Sequence, residues 1–243
     1  MSPAEQLYEG KAKILYTTAK PEVLLAVYKD DATAFNAQKR GTIEGKGAIN
    51  CQITAMLFEW LGSMNIPTHY IDSPESNQMR VKALSIVPLE VVVRNVAAGS
   101  LCRETGLPEG KVLSSPLVEY YYKSDELGDP LLTRDRIFLL DIVTPQRLSE
   151  IENMARKINR LLQSFFDKCN ITLVDFKLEF GIDREQNLLL ADEISPDTCR
   201  LWDKSQTDSQ AKVMDKDRFR KDLGKVESAY QEVHQRILSQ LKQ

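Results

Sequence analysis

The chain has 243 residues, of which 42% are hydrophobic and 28% charged, and its formal net charge is −3 at pH 7. That length predicts one domain or two closely packed subdomains, and the composition lies far from the low-hydrophobicity, high-charge corner where chains stay disordered. A slightly negative chain offers no positive field to gather nucleic acid or anionic lipid, so neither is expected as a partner.

The longest apolar stretch, Ile86 to Val93, is interrupted by Pro88 and Glu90 and falls far short of the roughly 20 residues of a membrane helix. The opening Met1-Ser2-Pro3-Ala4-Glu5-Gln6 lacks a basic region followed by an apolar run, which argues against a secretory leader and for the cytoplasm. Cys51, Cys102, Cys169 and Cys199 show no C-x-x-C spacing and read as reduced thiols. With only His69 and His234 as histidines, the chemistry is expected to run on carboxylates, lysines and arginines.

From Leu7 to Lys29, apolar runs divided by Gly10-Lys11 and by Lys20-Pro21 predict an antiparallel β start. Ile49, Ile53, Met56, Leu57, Trp60, Leu61 and Met64 recur at three and four, which predicts a helix with a core-facing stripe that ends near Asn65. Strand-like runs at Val81 to Leu84 and Ile86 to Val93 precede a Pro- and Gly-rich stretch, Gly106 to Pro130, expected to be loop bordering a binding site. Thr144-Pro145 is an N-cap and first-turn pair, and Leu148, Ile151, Ala155, Ile158, Leu162 and Phe165 then mark an amphipathic helix. After two more strands, a charged segment from Lys212 leads to a closing helix with Val226, Tyr230, Val233, Ile237 and Leu241 inward.

The chemistry concentrates in Leu173 to Gly181, where strand alternation separates Val174, Phe176, Leu178 and Phe180 from Asp175, Lys177 and Glu179. A four-residue hairpin loop, Arg184 to Asn187, would pair Gly181 with Leu190 and set Glu179 opposite Asp192, two hard oxygen ligands suited to Mg²⁺ between strands. The same row reads equally as a solvated face on which Lys177 neutralises two acids. Arg94 to Ser100 runs from a strand into small residues; an arginine, a glycine and a hydroxyl suit a phosphate, though they also make a plain turn. Tyr8 to Lys13 is a one-glycine turn with Lys11 and Lys13 at the same parity, placed for phosphates or for solvent. Ser195 to Asp203 adds Asp197 and Arg200 just after the carboxylates.

In this order these segments resemble the SAICAR synthetases of purine biosynthesis, nearly end to end. The resemblance rests on Tyr8 to Lys13, Val91 to Asn95 with Ala98 to Leu101, Leu173 to Gly181, Asp192-Glu193 with Ser195 to Asp197 and Arg200 to Asp203, and Met214 to Arg220. It implies an ATP-dependent ligase of the stand-alone type that joins L-aspartate to carboxyaminoimidazole ribonucleotide through an acyl phosphate. The implied fold is α+β: an N-terminal β-rich subdomain, residues 1–84, and a larger α/β subdomain with an antiparallel sheet, residues 85–243, with ATP in the cleft between them as in kinases and ATP-grasp enzymes. By the same resemblance Lys11, Lys13 and Lys82 serve the nucleotide, and Glu179 and Asp192 hold magnesium. Arg94 and Ser100 bind the ribonucleotide, with Asp197 and Arg218 as further substrate contacts. Lys177, Arg200 and Asp175 are the catalytic group. Glu44, Lys46 and Asp129 are added to the site, Lys216, Arg218 and Arg220 are placed either to close over substrate or to form a basic turn capping the last helix, and a homodimer is implied. The residues alone leave two rivals open, a kinase-like phosphotransferase acting on a hydroxyl and a silent nucleotide-binding module.

Overall fold

Consecutive hairpins of apolar residues build the first sheet. In the computed structural model, which describes residues 5–34, 39–124 and 126–242, β1 (Gln6–Glu9), β2 (Lys13–Thr17) and β3 (Val23–Tyr28) run antiparallel in succession as the sequence predicts. Met1 to Ala4, read for a leader, lie outside the described residues. A small pair, β4 (Asp31–Ala34) and β5 (Lys39–Thr42), precedes α1 (Lys46–Ser63). β6 (Tyr70–Glu75) and β7 (Gln78–Lys82) then complete a five-stranded sheet in the order β1-β2-β3-β7-β6. β4, β5 and β6 escape prediction because they carry little apolar alternation; β6 is largely exposed.

The predicted stripe of α1 is core: Ile53, Leu57 and Leu61 are buried and Met64, at its end, is exposed. No side chain of its own caps the helix. Instead the Asp30 carboxylate accepts from the N–H groups of Gly45 at 3.0 Å and Gly47 at 2.8 Å, satisfying donors that the first turn leaves open. Asn65, at φ 59, ends it in the left-handed region.

The second sheet is built from β8 (Ser85–Val96), then, after α2 (Ser100–Thr105), β9 (Val112–Tyr122) and β10 (Leu131–Leu132). After α3 (Arg134–Leu139) and α4 (Pro145–Lys168) come β11 (Ile171–Ile182), β12 (Leu188–Ala191) and β13 (Cys199–Asp203). α5 (Asp217–Arg220) and α6 (Val226–Leu241) finish the chain. All pairings are antiparallel, in the order β10-β9-β8-β11-β12, with β13 also on β11. Thr144 caps α4 as predicted, its hydroxyl accepting from Arg147 N–H at 3.2 Å. α4 lies across β11, β8 and β9, and α6 packs on α1.

β12 and β13 share one edge of β11 end to end: β12 pairs with Glu179 to Ile182 and β13 with Ile171 to Phe176. Between them the edge is open at Lys177, whose N–H is taken by Thr198 O at 2.8 Å. The connection from Asp192 to Thr198 is therefore threaded through this break, which is how its acids reach the same place as the β11 row.

Three expectations are corrected. The supposed loop from Gly106 to Pro130 contains the eleven-residue strand β9; Pro116 falls where its pairing with β8 shifts register, between Leu117 opposite Arg94 and Val112 opposite Val96, and such an irregularity tolerates a proline. The hairpin register is one residue away from prediction: Glu179 faces Ala191 and Gly181 faces Leu189. The reason is a five-residue loop closed by the Asp183 carboxylate, which accepts from the N–H groups of Glu185 and Asn187 at 2.9 Å each. Finally, a bulge between Leu173 and Asp175 sends Val174 into a small cluster with Val96, Ala98, Trp202 and Val213, apart from Phe176, Leu178 and Phe180.

α1 sits directly on β3. A Cβ on Gly47 would lie 2.8 Å from the Tyr28 carbonyl oxygen, backbone that has no freedom to move aside. Alanine is worth about 1 kcal/mol over glycine in a helix, yet overpacking costs about 1–3 kcal/mol, so Gly47→Ala is expected to lower the urea unfolding midpoint; a raised midpoint would show that the contact relaxes.

Candidate active site

A cleft of about 1260 Å³ opens between the two sheets, and its walls change character along its length. Beneath the first sheet Leu15, Leu24, Ala26, Met79 and Val81 form an apolar wall, the kind of surface that accepts a planar base. Lys82 stands at its rim and Lys11 at the β1–β2 turn, both exposed and both lining the cleft.

Next comes a belt of alternating charge. Lys177 Nζ lies 2.6 Å from Glu179 Oε1, 2.9 Å from Asp192 Oδ2 and 3.3 Å from Glu90 Oε1. Lys13 donates to the other Asp192 oxygen and stands 3.2 Å from Glu193 Oε1, and Lys123 donates to the other Glu179 oxygen. Burial opposes charge on Lys13 and Lys177, but Asp192 together with Glu193 or Glu179 outweighs it and raises both pKa values well above the ordinary lysine range. Burial likewise opposes ionisation of Asp192, and Lys13 and Lys177 override it, holding the carboxyl far below its usual range. Asp192 meets Glu179 despite the changed register because it has left β12 and turned at φ 58. Although Ala191 holds the position opposite Glu179, the left-handed turn brings the next carboxylate back to the same ammonium.

Glu179 and Asp192 thus each aim an oxygen at one cationic point. A divalent cation placed there would find two hard ligands. Among the described residues no group of three or more His, Cys, Asp or Glu side chains could hold a metal by itself; two carboxylates would leave the rest of a magnesium shell to phosphate and water.

Beyond the belt is an arginine pocket. Arg94, at the register position facing Asp175, donates from Nε to Glu119 at 2.6 Å, from Nη1 to Asp175 at 3.0 Å and from Nη2 to Ser100 Oγ at 2.8 Å. Arg200 meets both Asp175 oxygens through Nη1, at 3.1 and 2.8 Å, and Asp217 through Nε at 3.0 Å. Gly99 has φ 59 and ψ −127, and a Cβ there would overlap the Arg200 guanidinium, so glycine is required both for the backbone and for the close approach. Asp215, buried behind this pocket, accepts from Leu201 and Asp217 N–H at 2.8 Å each; burial and the neighbouring Asp217 push its carboxyl up to about 7.

The structure therefore brings Lys11, Lys13, Lys82, Arg94, Ser100, Asp175, Lys177, Glu179, Asp192, Asp197 and Arg200 to one cleft, along with Asp129, Lys216 and Arg220. Arg218 is not among them and is corrected: it is buried and spends its guanidinium on the carbonyls of Val213, Leu223 and Gly224. Glu44 does not line the cleft, and Lys46 lies behind Asp197. Sequence reasoning missed Glu90, Lys123 and Asp217. Glu90 carried a signal, since a charge inside an apolar strand needs a partner; Lys123 did not, because its segment read as loop.

An apolar slot that leads into a lysine and carboxylate belt and then an arginine pocket is the lining of an enzyme cleft that gathers anionic ligands. The family model for SAICAR synthetase matches residues 6–237. Phosphoribosylaminoimidazole-succinocarboxamide synthase of Nostoc punctiforme is 66% identical over 98% of this chain and 97% of its own length. The crystal structure of the synthase of that name from Ehrlichia chaffeensis is 43% identical with a TM-score of 0.92, covering 96% of this chain and 98% of its own. A SAICAR synthetase solved in complex with ADP is 44% identical with a TM-score of 0.90, covering 95% and 96%. The chain belongs to the SAICAR synthetase family.

His69, 8% exposed in the cleft wall, has its pKa lowered from 6.5 to about 3 by burial and by Lys13. Unfolded His69 takes a proton below 6.5 while the folded form refuses it until near 3, so acid favours the unfolded chain throughout that window. The linkage is worth about 2 kcal/mol at pH 5 and nothing at pH 7. His69→Gln should therefore lose about that much less stability than the parent between pH 7 and pH 5 in urea titrations; equal losses would contradict the buried neutral imidazole.

Proposed function

We propose that this chain joins L-aspartate to the carboxylate of carboxyaminoimidazole ribonucleotide at the expense of ATP, giving the succinocarboxamide ribonucleotide, ADP and phosphate. The observation that carries this reading is that Asp175, Lys177 and Glu179, successive on one face of β11, join the two charged stations of the cleft. A triphosphate at the Lys13 end and a ribonucleotide at the Arg94 end would meet at Lys177. Family membership and the ADP complex of a relative support the use of ATP.

A carboxylate is a poor electrophile and must be activated. The imidazole carboxylate oxygen attacks the γ-phosphorus, the bond to the β-phosphate oxygen breaks, and ADP leaves an acyl phosphate. The amino nitrogen of aspartate then attacks the acyl carbon, phosphate departs, and the nitrogen sheds its extra proton. Lys11 and Lys13 hold the phosphates, and Lys82 lies at the base. Arg94 and Ser100 take the ribonucleotide phosphate. Lys177 and Arg200 oppose the negative charge that gathers where the anions meet, with Asp175 orienting both arginines. Magnesium, held by Glu179 and Asp192, would neutralise the triphosphate when bound. No covalent protein nucleophile is required.

The same reading divides the chain near Leu84, supported by a first sheet that ends at Lys82 and a second that begins at Ser85. It places the enzyme in the cytoplasm, without nucleic acid or membrane partners, consistent with the net charge of −3; among the described residues no helix is long and apolar enough to cross a membrane. A homodimer is included, supported by the exposed Leu131, Leu139 and Leu140 around α3.

Phosphate release is expected to need both L-aspartate and the imidazole ribonucleotide, with the amide product appearing in equal amount; undiminished turnover of ATP to ADP without any amine would reject the ligase. Lys177→Ala and Asp192→Asn should each lower kcat at least about a hundredfold with circular dichroism unchanged, and wild-type kcat in both would remove these residues from the mechanism.

A further inference from the structure

Past the arginine pocket, Asp197 is buried with both oxygens engaged: Oδ2 by Lys46 Nζ at 2.8 Å and Oδ1 by Tyr230 Oη at 2.7 Å. Lys216 Nζ stands 3.7 Å from that same Oδ2, outside hydrogen-bond distance. Arg220 lies close by, committed through Nη1 to Asp217 at 2.6 Å. Lys46 is sealed in, 1% exposed, whereas Lys216 and Arg220 both face the cleft.

The charges here do not balance. Lys46 and Lys216 share one carboxylate, Asp217 is divided between Arg200 and Arg220, and Glu193 is held by Lys13 and by Ser195 Oγ. Burial, reinforced by the like charges of Arg220 and Lys46, outweighs the attraction of Asp197 and lowers the Lys216 pKa. An ammonium short of negative charge, inside a cleft and making no hydrogen bond among the described residues, is built to receive an anion.

Two anions of the reaction already have stations, the triphosphate at Lys13 and Lys177 and the ribonucleotide phosphate at Arg94 and Arg200. Lys216 lines the same cleft, next in the chain to the Asp217 that holds Arg200 and within the field of the Glu193 that faces Lys13. The amino-acid co-substrate is the anion left without a place. We propose that Lys216 Nζ, with Arg220 beside it, binds a carboxylate of L-aspartate and sets its amine toward the activated acyl carbon. The assignment rests on the ligase reading above.

Lys216 begins α5 through its backbone, with no cap bond from its side chain, and Asp197 keeps Lys46 and Tyr230 without it. Lys216→Met and Lys216→Gln should therefore fold and keep ADP binding by calorimetry. Their KM for L-aspartate should rise about tenfold or more, as expected for a lost charge-assisted contact, while KM for ATP and for the ribonucleotide stays within about twofold. Lys216→Arg, which keeps the charge, should recover most of the loss. An unchanged aspartate KM in the folded variants, or an equal rise in the ribonucleotide KM, overturns the assignment. Failure of the parent reading shows separately, as wild-type turnover that ignores aspartate.

Discussion

One ammonium holds the cleft together. Lys177 is shared by Glu179, Asp192 and Glu90, and the three acids come from three different stretches of chain. Without that cation, buried or half-buried carboxylates would face one another across a narrow gap at a cost of several kcal/mol. The break between β12 and β13 exists at this point of β11, and the chain that crosses it delivers Asp192, Glu193 and Asp197. Topology and charge are thus one arrangement: the sheet edge is interrupted where the chemistry needs acids.

Such networks add little to stability, because desolvation consumes most of the Coulomb gain. Their value is positional. Asp175 receives Arg94 from one side and Arg200 from the other, and Arg200 is braced again by Asp217. Two guanidiniums fixed in this way need little reorganisation when an anion arrives, which is where electrostatic catalysis gets its advantage over water.

Much of this could be read from the residues. The row Asp175, Lys177, Glu179 follows from a period of two that needs no tertiary information, and the stripe of α1 and the cap of α4 are equally local. What could not be read depends on partners distant in the chain. Pro116 looks like a loop residue until the ladder between β9 and β8 is seen to shift register around it. The hairpin register turned on whether Asp183 belongs to the strand or closes the loop, a one-residue question on which every side-chain facing depends. Arg218 has the composition of an anion ligand, yet carbonyls from a folded turn claim it first. Asp192 reached its place by a left-handed turn that no pattern announces.

The partners of Glu179 differ in one respect. Lys177 is 23% exposed and tied to three acids, while Lys123, which takes the other Glu179 oxygen, is 41% exposed and comes from the segment just after β9. The two counter-ions of this carboxylate are therefore unequally held: the outer lysine has one acid and a stem that already reaches water, and the inner one has three acids.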